Sequence, residues 1–304
     1  MRHCALEGQR GLAMKIAILG ARGFLGKNLC RLLVAQGHEV VGYVLNPESE
    51  KNVGFECRSV VELLSSPINN KSYYDVTINL AARRSTRNHQ FTDAEVNNFT
   101  YEIPKEFIMH TAGSQSIVLN ASTYIQNFAG ETSRTVDSYG AAKEKLSQFL
   151  EKQSFSSGFR TRDLFFFTLY GIGDRPSHLV PLLIEAARSG GRINLSPGDQ
   201  LMNLLYVDDA TQNILNCISL TSELSYIKNY VWAENYSTVK QVVSMIESTI
   251  GEKIDCEWGA REYVGHEMMN PWPIPMEQLP NFVAPTKLAE GISKIWESIQ
   301  NESD

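Results

Sequence analysis

The chain lacks any apolar run of about 18 residues, so no segment reads as a membrane-spanning helix. Cysteine is scarce and scattered. Cys4, Cys30, Cys57, Cys217 and Cys256 are odd in number and never spaced Cys-x-x-Cys. That argues against a disulfide framework or a zinc site and for reduced thiols in a cytoplasmic protein. Basic residues number 28 against 34 acidic ones, and the net charge of −6 at pH 7 lacks the positive face that nucleic acid requires. Neither a Gly-x-Ser-x-Gly elbow nor a His-Glu-x-x-His motif occurs, which removes the common hydrolase and zinc-protease readings. His3, His38, His89, His110, His178 and His266 are widely spread, so core or surface roles are their default and no metal site is expected. Internal repeats and low-complexity linkers are missing too.

What remains is the composition of an ordinary globule, 43% hydrophobic and 20% charged. A length of 304 residues allows one large domain or two. Residues 1–13, MRHCALEGQRGLA, lack the apolar core of a signal peptide and read as a disordered extension ahead of Met14.

The rest of the chain is organised around Lys15 to Gly26, KIAILGARGFLG. Ile16 to Leu19 read as a short strand buried on both faces. Gly20, Gly23 and Gly26 then punctuate a tight turn opening a helix from Phe24 to about Gln36. Without Cβ atoms the backbone lets a pyrophosphate approach the turn, where helix N–H groups and the helix dipole receive its charge. The third glycine lets helix and strand pack closely. Gly20, Arg22, Gly23, Phe24, Leu25 and Gly26 are the candidate dinucleotide-binding residues. NAD-binding units of this kind carry an Asp or Glu near the end of the next strand, for the ribose 2′-hydroxyl. Here that strand, Glu39 to Leu45, ends in Tyr43, Val44, Leu45 and Asn46, none of them acidic. A guanidinium at Arg22 suits a 2′-phosphate. The expected cofactor is therefore NADP(H), with NAD(H) as the alternative.

Further apolar strands are expected at 73–82, 116–122 and 162–170, with helices at 59–66, at 91–111 (bent by Pro104), and from Ser138 to about Lys152. Asp208 is expected to cap a helix ending near Ser219. Strands alternating with helices predict a doubly wound parallel sheet. The small residues Asn79, Leu80, Ala81 and Ala82 leave room for a cofactor at a strand's carboxyl edge. Arg83, Arg84 and Arg87 follow at once, as a phosphate grip or a solvated loop.

Tyr139 and Lys143 are four apart and share one helix face. A phenol with an ordinary pKa near 10 is a poor acid at neutral pH, and an ammonium one turn away lowers it. Ser122, at a strand end, is placed to hydrogen-bond the same substrate oxygen. Ser122, Tyr139 and Lys143 thus form a proton-transfer set beside a bound nicotinamide.

As a group, GARGFLG (20–26), NLAA (79–82), NASTYI (120–125), SYGAAK (138–143), LYGIGDRP (169–176) and LLYVDDA (204–210) resemble the extended short-chain dehydrogenases/reductases, also called the NAD-dependent epimerase/dehydratase family. The resemblance runs from Met14 to about Leu220 and, more faintly, to KLAEGISKIW (287–296). It implies a Rossmann dinucleotide-binding domain (14–167 and 204–225), a smaller C-terminal α/β substrate domain (168–203 and 226–304), a nucleotide-activated sugar as substrate, and a homodimer. It casts Tyr139 as the acid/base and Lys143 as its ribose-binding partner. Alignment selects Ser122 as the catalytic hydroxyl, with Thr123 the neighbouring alternative.

Departures from the family pattern narrow the reading. Thr123 and Tyr124 stand where 4,6-dehydratases carry Asp-Glu, which argues against dehydration. Thr168 replaces a common Asn, and Met202-Asn203 replace a diphosphate-binding Arg, a role open to Arg83, Arg84 or Arg175. Arg83, Thr123, Tyr124 and Thr168 are the candidate substrate contacts. The first functional expectation is an NADPH-consuming reductase of a 4-keto-6-deoxy nucleotide sugar. An NAD-retaining 4-epimerase is the alternative, and a non-catalytic NADP-sensing protein is the reading from a different class.

Overall fold

The computed structural model describes residues 13–49, 53–67, 73–85, 89–220, 224–265 and 267–303. Apart from residue 13, the expected N-terminal extension lies outside the described residues, as does Arg87. Strand β1 (Lys15–Leu19) enters the glycine turn and helix α1 (Phe24–Ala35), which stops ahead of Gly37. Strand β2 (Glu39–Val44) follows, then β3 (Glu56–Ser59) and α2 (Val60–Ser65), whose first turn is capped by Ser59 accepting from the Glu62 amide at 3.2 Å. β3 is not apparent in the sequence, because Glu56-Cys57-Arg58-Ser59 is a short, largely exposed edge strand without an apolar run.

After β4 (Tyr74–Asn79), Thr92 and Glu95 form a capping box that opens α3 (Asp93–Asn97). A π-helical turn at Asn98–Glu102 leads into α4 (Ile103–Thr111). The expected bend at 91–111 is thus a π turn just ahead of Pro104. Pro104 itself sits in the first turn of α4, where its missing N–H costs little. β5 (Ala112–Thr123) and α5 (Ser138–Ser157) come next. Asp137 caps α5 by accepting from the Gly140 amide at 2.7 Å, and Gly158 ends it with φ at +81°. The strand expected at 162–170 divides at Phe167 into β6 (Arg160–Phe166) and β7 (Thr168–Tyr170), which join different sheets.

The remaining elements are α6 (Leu179–Ser189), β8 (Ile193–Asn194), β9 (Leu201–Tyr206), α7 (Val207–Ser219), β10 (Tyr226–Val231), β11 (Tyr236–Thr238), α8 (Val239–Ile250), β12 (Cys256–Glu257) and α9 (Leu288–Ser303). Asp208 is not the cap of α7. Tyr206 holds that position without a side-chain bond, and Asp208 lies in the first turn, where its charge meets the positive end of the helix.

Seven strands form one parallel sheet in the order β10-β6-β5-β4-β1-β2-β3. Apolar side chains alternate between its faces. Ile16, Ile18, Val76, Ile78 and Leu119 pack with Leu29, Leu33 and Ile214 on the α1/α7 side, whereas Ala17, Leu19, Val41 and Val118 pack with Phe107, Leu146 and Leu150 on the α4/α5 side. Burial of each large side chain contributes about 1.5–3 kcal/mol. This double burial explains why the strands read as continuous apolar runs. The chain is thus doubly wound, and its strand order reverses between β4 and β1, where dinucleotides bind in such sheets.

A second sheet, β11-β9-β7, and the pair β12-β8 carry the smaller layer, whose core joins α6, α8 and α9. The expected boundaries shift here. β10 lies in the main sheet, although 226–304 is expected in the substrate part, because its backbone pairs in parallel with β6. Conversely β9 pairs with β7 and β11, although 204–206 was assigned to the cofactor part. Among the described residues no helix is long and apolar enough to cross a membrane.

Candidate active site

The glycine turn is a cradle that side chains would fill. Gly20 adopts φ of +84°, and a Cβ there would lie 2.9 Å from the Ala81 nitrogen. A Cβ on Gly26 would lie 2.2 Å from the Gly20 carbonyl oxygen. The first position therefore brings β1's turn against the Leu80–Ala81 segment, and the third seats α1 on the turn. Gly23 precedes α1 without a side-chain cap, which leaves the first-turn amides for an anion. Phe24 and Leu25, in that first turn, are partly buried. Leu80 and Ala81 are partly buried and Ala82 is exposed at the mouth of the same cleft.

Arg22 reaches the end of β2, where its guanidinium donates to the carbonyls of Asn46 and Pro47. Arg83 is stacked between two rings. Its guanidinium carbon lies 3.4 Å from the Phe99 ring centre and 4.6 Å from that of Phe91. Arg84 donates to Asp137, the cap of α5, at 3.0 Å and lies 5.4 Å from the centre of the Tyr139 ring.

Helix α5 carries Tyr139 and Lys143 on one stripe. Lys143, 2% exposed, crosses to the sheet and donates to the carbonyls of Ala121 at 2.6 Å and Ala81 at 3.3 Å. It thereby bridges the carboxyl ends of β5 and β4. Burial pushes this ammonium down to about 8. Burial likewise pushes the Tyr139 phenol up to about 12, against the smaller opposing influences of Arg84 and a hydrogen bond with Thr123. Loss of water thus outweighs the nearby Arg84 guanidinium, and the phenol stays protonated at neutral pH.

The two candidate hydroxyls part company here. Thr123 lies close enough to Tyr139 to influence its ionisation, whereas Ser122 is 4% exposed and donates to Asp163 at 2.5 Å, with Ser147 at 3.3 Å. Ser147 lies eight residues beyond Tyr139 on α5, about 12 Å along the helix axis at 1.5 Å per residue. A side chain at the level of Ser147 does not share an oxygen with Tyr139. Ser122 thus faces the Asp163–Ser147 layer.

An aromatic wall begins at Tyr124, close enough to Tyr139 to influence its ionisation. Tyr124 stacks on Phe167 with ring centres 4.5 Å apart and planes 8° from parallel. Trp272 lies 5.6 Å from Tyr124 and 5.1 Å from Phe128, and Trp232 and Tyr236 complete the group behind Phe167. Thr168 adjoins this wall as the first residue of β7 and is partly exposed. Sequence reasoning found Tyr124 but missed Phe167, Trp232, Tyr236 and Trp272. For Trp272 alone, the Trp/Pro/Met-rich composition of residues 255–285 is an available signal. Asp137 and Asp163 were also missed, the latter inside an apolar run.

Residues 16–223 match the model of a protein family described as the NAD dependent epimerase/dehydratase family. Among characterised relatives, CDP-abequose synthase of Yersinia pseudotuberculosis is 26% identical over 266 residues, covering 85% of this chain and 92% of that protein. An uncharacterised UDP-glucose epimerase of Bacillus subtilis is 27% identical over 309 residues, covering 92% and 96%. Among solved structures, UDP-glucuronic acid 4-epimerase of Bacillus cereus, in complex with UDP-glucuronic acid and NAD, aligns with a TM-score of 0.76 at 18% identity. That alignment covers 95% of this chain and all of the other.

Proposed function

The chain belongs to the NAD dependent epimerase/dehydratase family, and from that premise we propose that it is a nicotinamide-dependent oxidoreductase of a nucleotide-activated sugar. The observation that carries this reading is Lys143 anchored to the Ala81 and Ala121 carbonyls at the carboxyl ends of β4 and β5, on the same stripe of α5 as Tyr139 and beside a cradle closed by Gly20 and Gly26. The cradle fits a dinucleotide, since it is void of Cβ atoms where the backbone turns and leaves the α1 amides uncapped. Gly20, Gly23, Gly26 and the first turn of α1 would hold the pyrophosphate, and Lys143 the ribose near the nicotinamide. When bound, the cofactor supplies or accepts hydride.

Within this reading the reaction is the reduction of a keto sugar nucleotide with NADPH. At neutral pH Tyr139 holds its proton and Lys143 its charge, the protonation state from which a carbonyl oxygen is protonated as it becomes an alcohol. Thr123 orients that oxygen. The NADPH preference rests on Arg22 at the end of β2 and on the missing acidic residue there. A binding protein without turnover has no use for a buried phenol–ammonium pair.

A second reading, 4-epimerisation with retained NAD, draws support from solved structures of similar fold described as 4-epimerases with NAD. Absorbance at the NADPH band separates the two. Incubation with a 4-keto-6-deoxy sugar nucleotide bleaches it stoichiometrically under the reductase reading. A flat trace, with a 4-hydroxy sugar nucleotide converted to its 4-epimer, establishes the epimerase instead.

A further inference from the structure

Below the Tyr139–Lys143 stripe lies a charge that the mechanism above does not use. Asp163, in the middle of β6, is wholly buried and accepts three hydrogen bonds. Ser122 and Asn120 donate to its Oδ1 at 2.5 and 2.8 Å, and the Tyr226 hydroxyl donates to its Oδ2 at 2.8 Å. A carboxylate in so dry a layer needs donors and a counter-charge together.

The donors connect it to Lys143 by two routes. Asn120 and Ser122 flank Ala121, whose carbonyl receives the ammonium at 2.6 Å. The second acceptor, the Ala81 carbonyl, is reached through side chains on β5 and β4. Asn120 accepts from Asn79 at 2.7 Å, and Asn79 accepts from the Ala81 amide at 3.1 Å. Both carbonyls that hold Lys143 are therefore tied back to one carboxylate.

The other ionisable groups around this layer do not replace it. Glu144 on α5 is held by Gln126 and Ser133, and Glu151 lies toward Tyr226. Lys228, register partner of Asp163 on β10, lies over the Tyr226 ring at 5.8 Å. Tyr226 stays neutral, its phenol pushed up by burial and by Asp163. Tyr139, Arg84 and Asp137 sit at the opposite end of the stripe.

We propose that Asp163 is the positioning residue and counter-charge of Lys143, fixing its two carbonyl acceptors and keeping its ammonium protonated at the pH where the dinucleotide binds. The inference rests on Lys143 lying in the dinucleotide site, as argued above. It assigns a role to a residue that touches neither cofactor nor substrate.

The test is the pH dependence of NADPH affinity, followed by quenching of tryptophan fluorescence, in the wild-type chain and in Asp163→Asn and Tyr226→Phe. Wild-type affinity is expected to fall as pH rises through about 8. In Asp163→Asn that limb moves to lower pH by on the order of one unit, as expected for removing one charge at an effective dielectric of about 20. Tyr226→Phe removes a donor but no charge, so its limb stays in place. A limb unmoved in Asp163→Asn, or moved equally in both variants, overturns the proposal. Should Asp163→Asn fail to fold, the double variant Asp163→Asn/Lys143→Met decides. Recovered folding supports the pairing, since no lone charge is left buried, and a double variant as unstable as the single one refutes it. Absence of NADPH and NADH binding by the wild type at every pH overturns the functional reading itself, a result distinct from an unmoved limb.

Discussion

The glycine cradle and the aromatic wall are built in opposite ways. The cradle works by the side chains it lacks: Gly20, Gly23 and Gly26 lie within seven residues, and backbone does the contacting. The wall works by bulk. Its rings come from the turn after β5, the end of β6, the stretch after β10 and the irregular segment that carries Trp272. Local construction fixes a pyrophosphate site common to many chemistries. Under the proposed function, construction from distant segments is where selectivity for the sugar would reside.

The comparison breaks most readily at the cradle. Gly26→Ala introduces a Cβ within 2.2 Å of the Gly20 carbonyl oxygen. Calorimetric titration is expected to show no measurable binding of NADPH, and thermal denaturation a destabilisation of about 1–3 kcal/mol, as for other overpacked sites. Trp272→Ala should do the reverse, raising KM for the sugar nucleotide about tenfold through lost ring contacts while dinucleotide affinity holds. If Trp272→Ala weakens NADPH binding equally, the two regions are not separable. Arg22→Gln sharpens the cofactor side. Loss of charge-assisted bonds of about 1.5–3 kcal/mol lowers NADPH affinity roughly tenfold or more and leaves NADH alone, as paired titrations would register.

The smallest effect concerns stability. The Lys143 ammonium lies below its ordinary 10.5, at about 8 in the folded chain. Between those values the unfolded chain binds the extra proton, so this residue makes stability rise with pH from about 8 to 10.5 and contributes no slope below 8. Lys143→Met should flatten that part of a thermal-midpoint profile, and an unchanged profile would contradict the buried ammonium.

The same contrast explains what was legible in the sequence. Strands buried on both faces, such as Ile16–Leu19, announce themselves as apolar runs, and the cradle and the Tyr139–Lys143 spacing are local patterns. The edge strand Glu56–Ser59 carries no such pattern. Phe167 separates two strands where the unbroken apolar run suggests one, because the chain changes sheets there. That Ser122 faces the Asp163–Ser147 layer depends on how far along α5 its hydroxyl lies, which spacing in β5 alone does not encode. The Phe99 and Phe91 rings that occupy Arg83, and the donors that surround Asp163, are likewise contacts between segments distant in sequence.

Tyr139→Phe addresses the central claim most directly, with turnover of a keto sugar nucleotide and NADPH affinity measured on the same preparation. Loss of the proton donor is expected to slow turnover about 10²–10⁴-fold, in the range of general acid catalysis, with the affinity nearly unchanged. Turnover within a few-fold of the wild type would mean that the phenol on α5 does not move the proton, and would contradict the account.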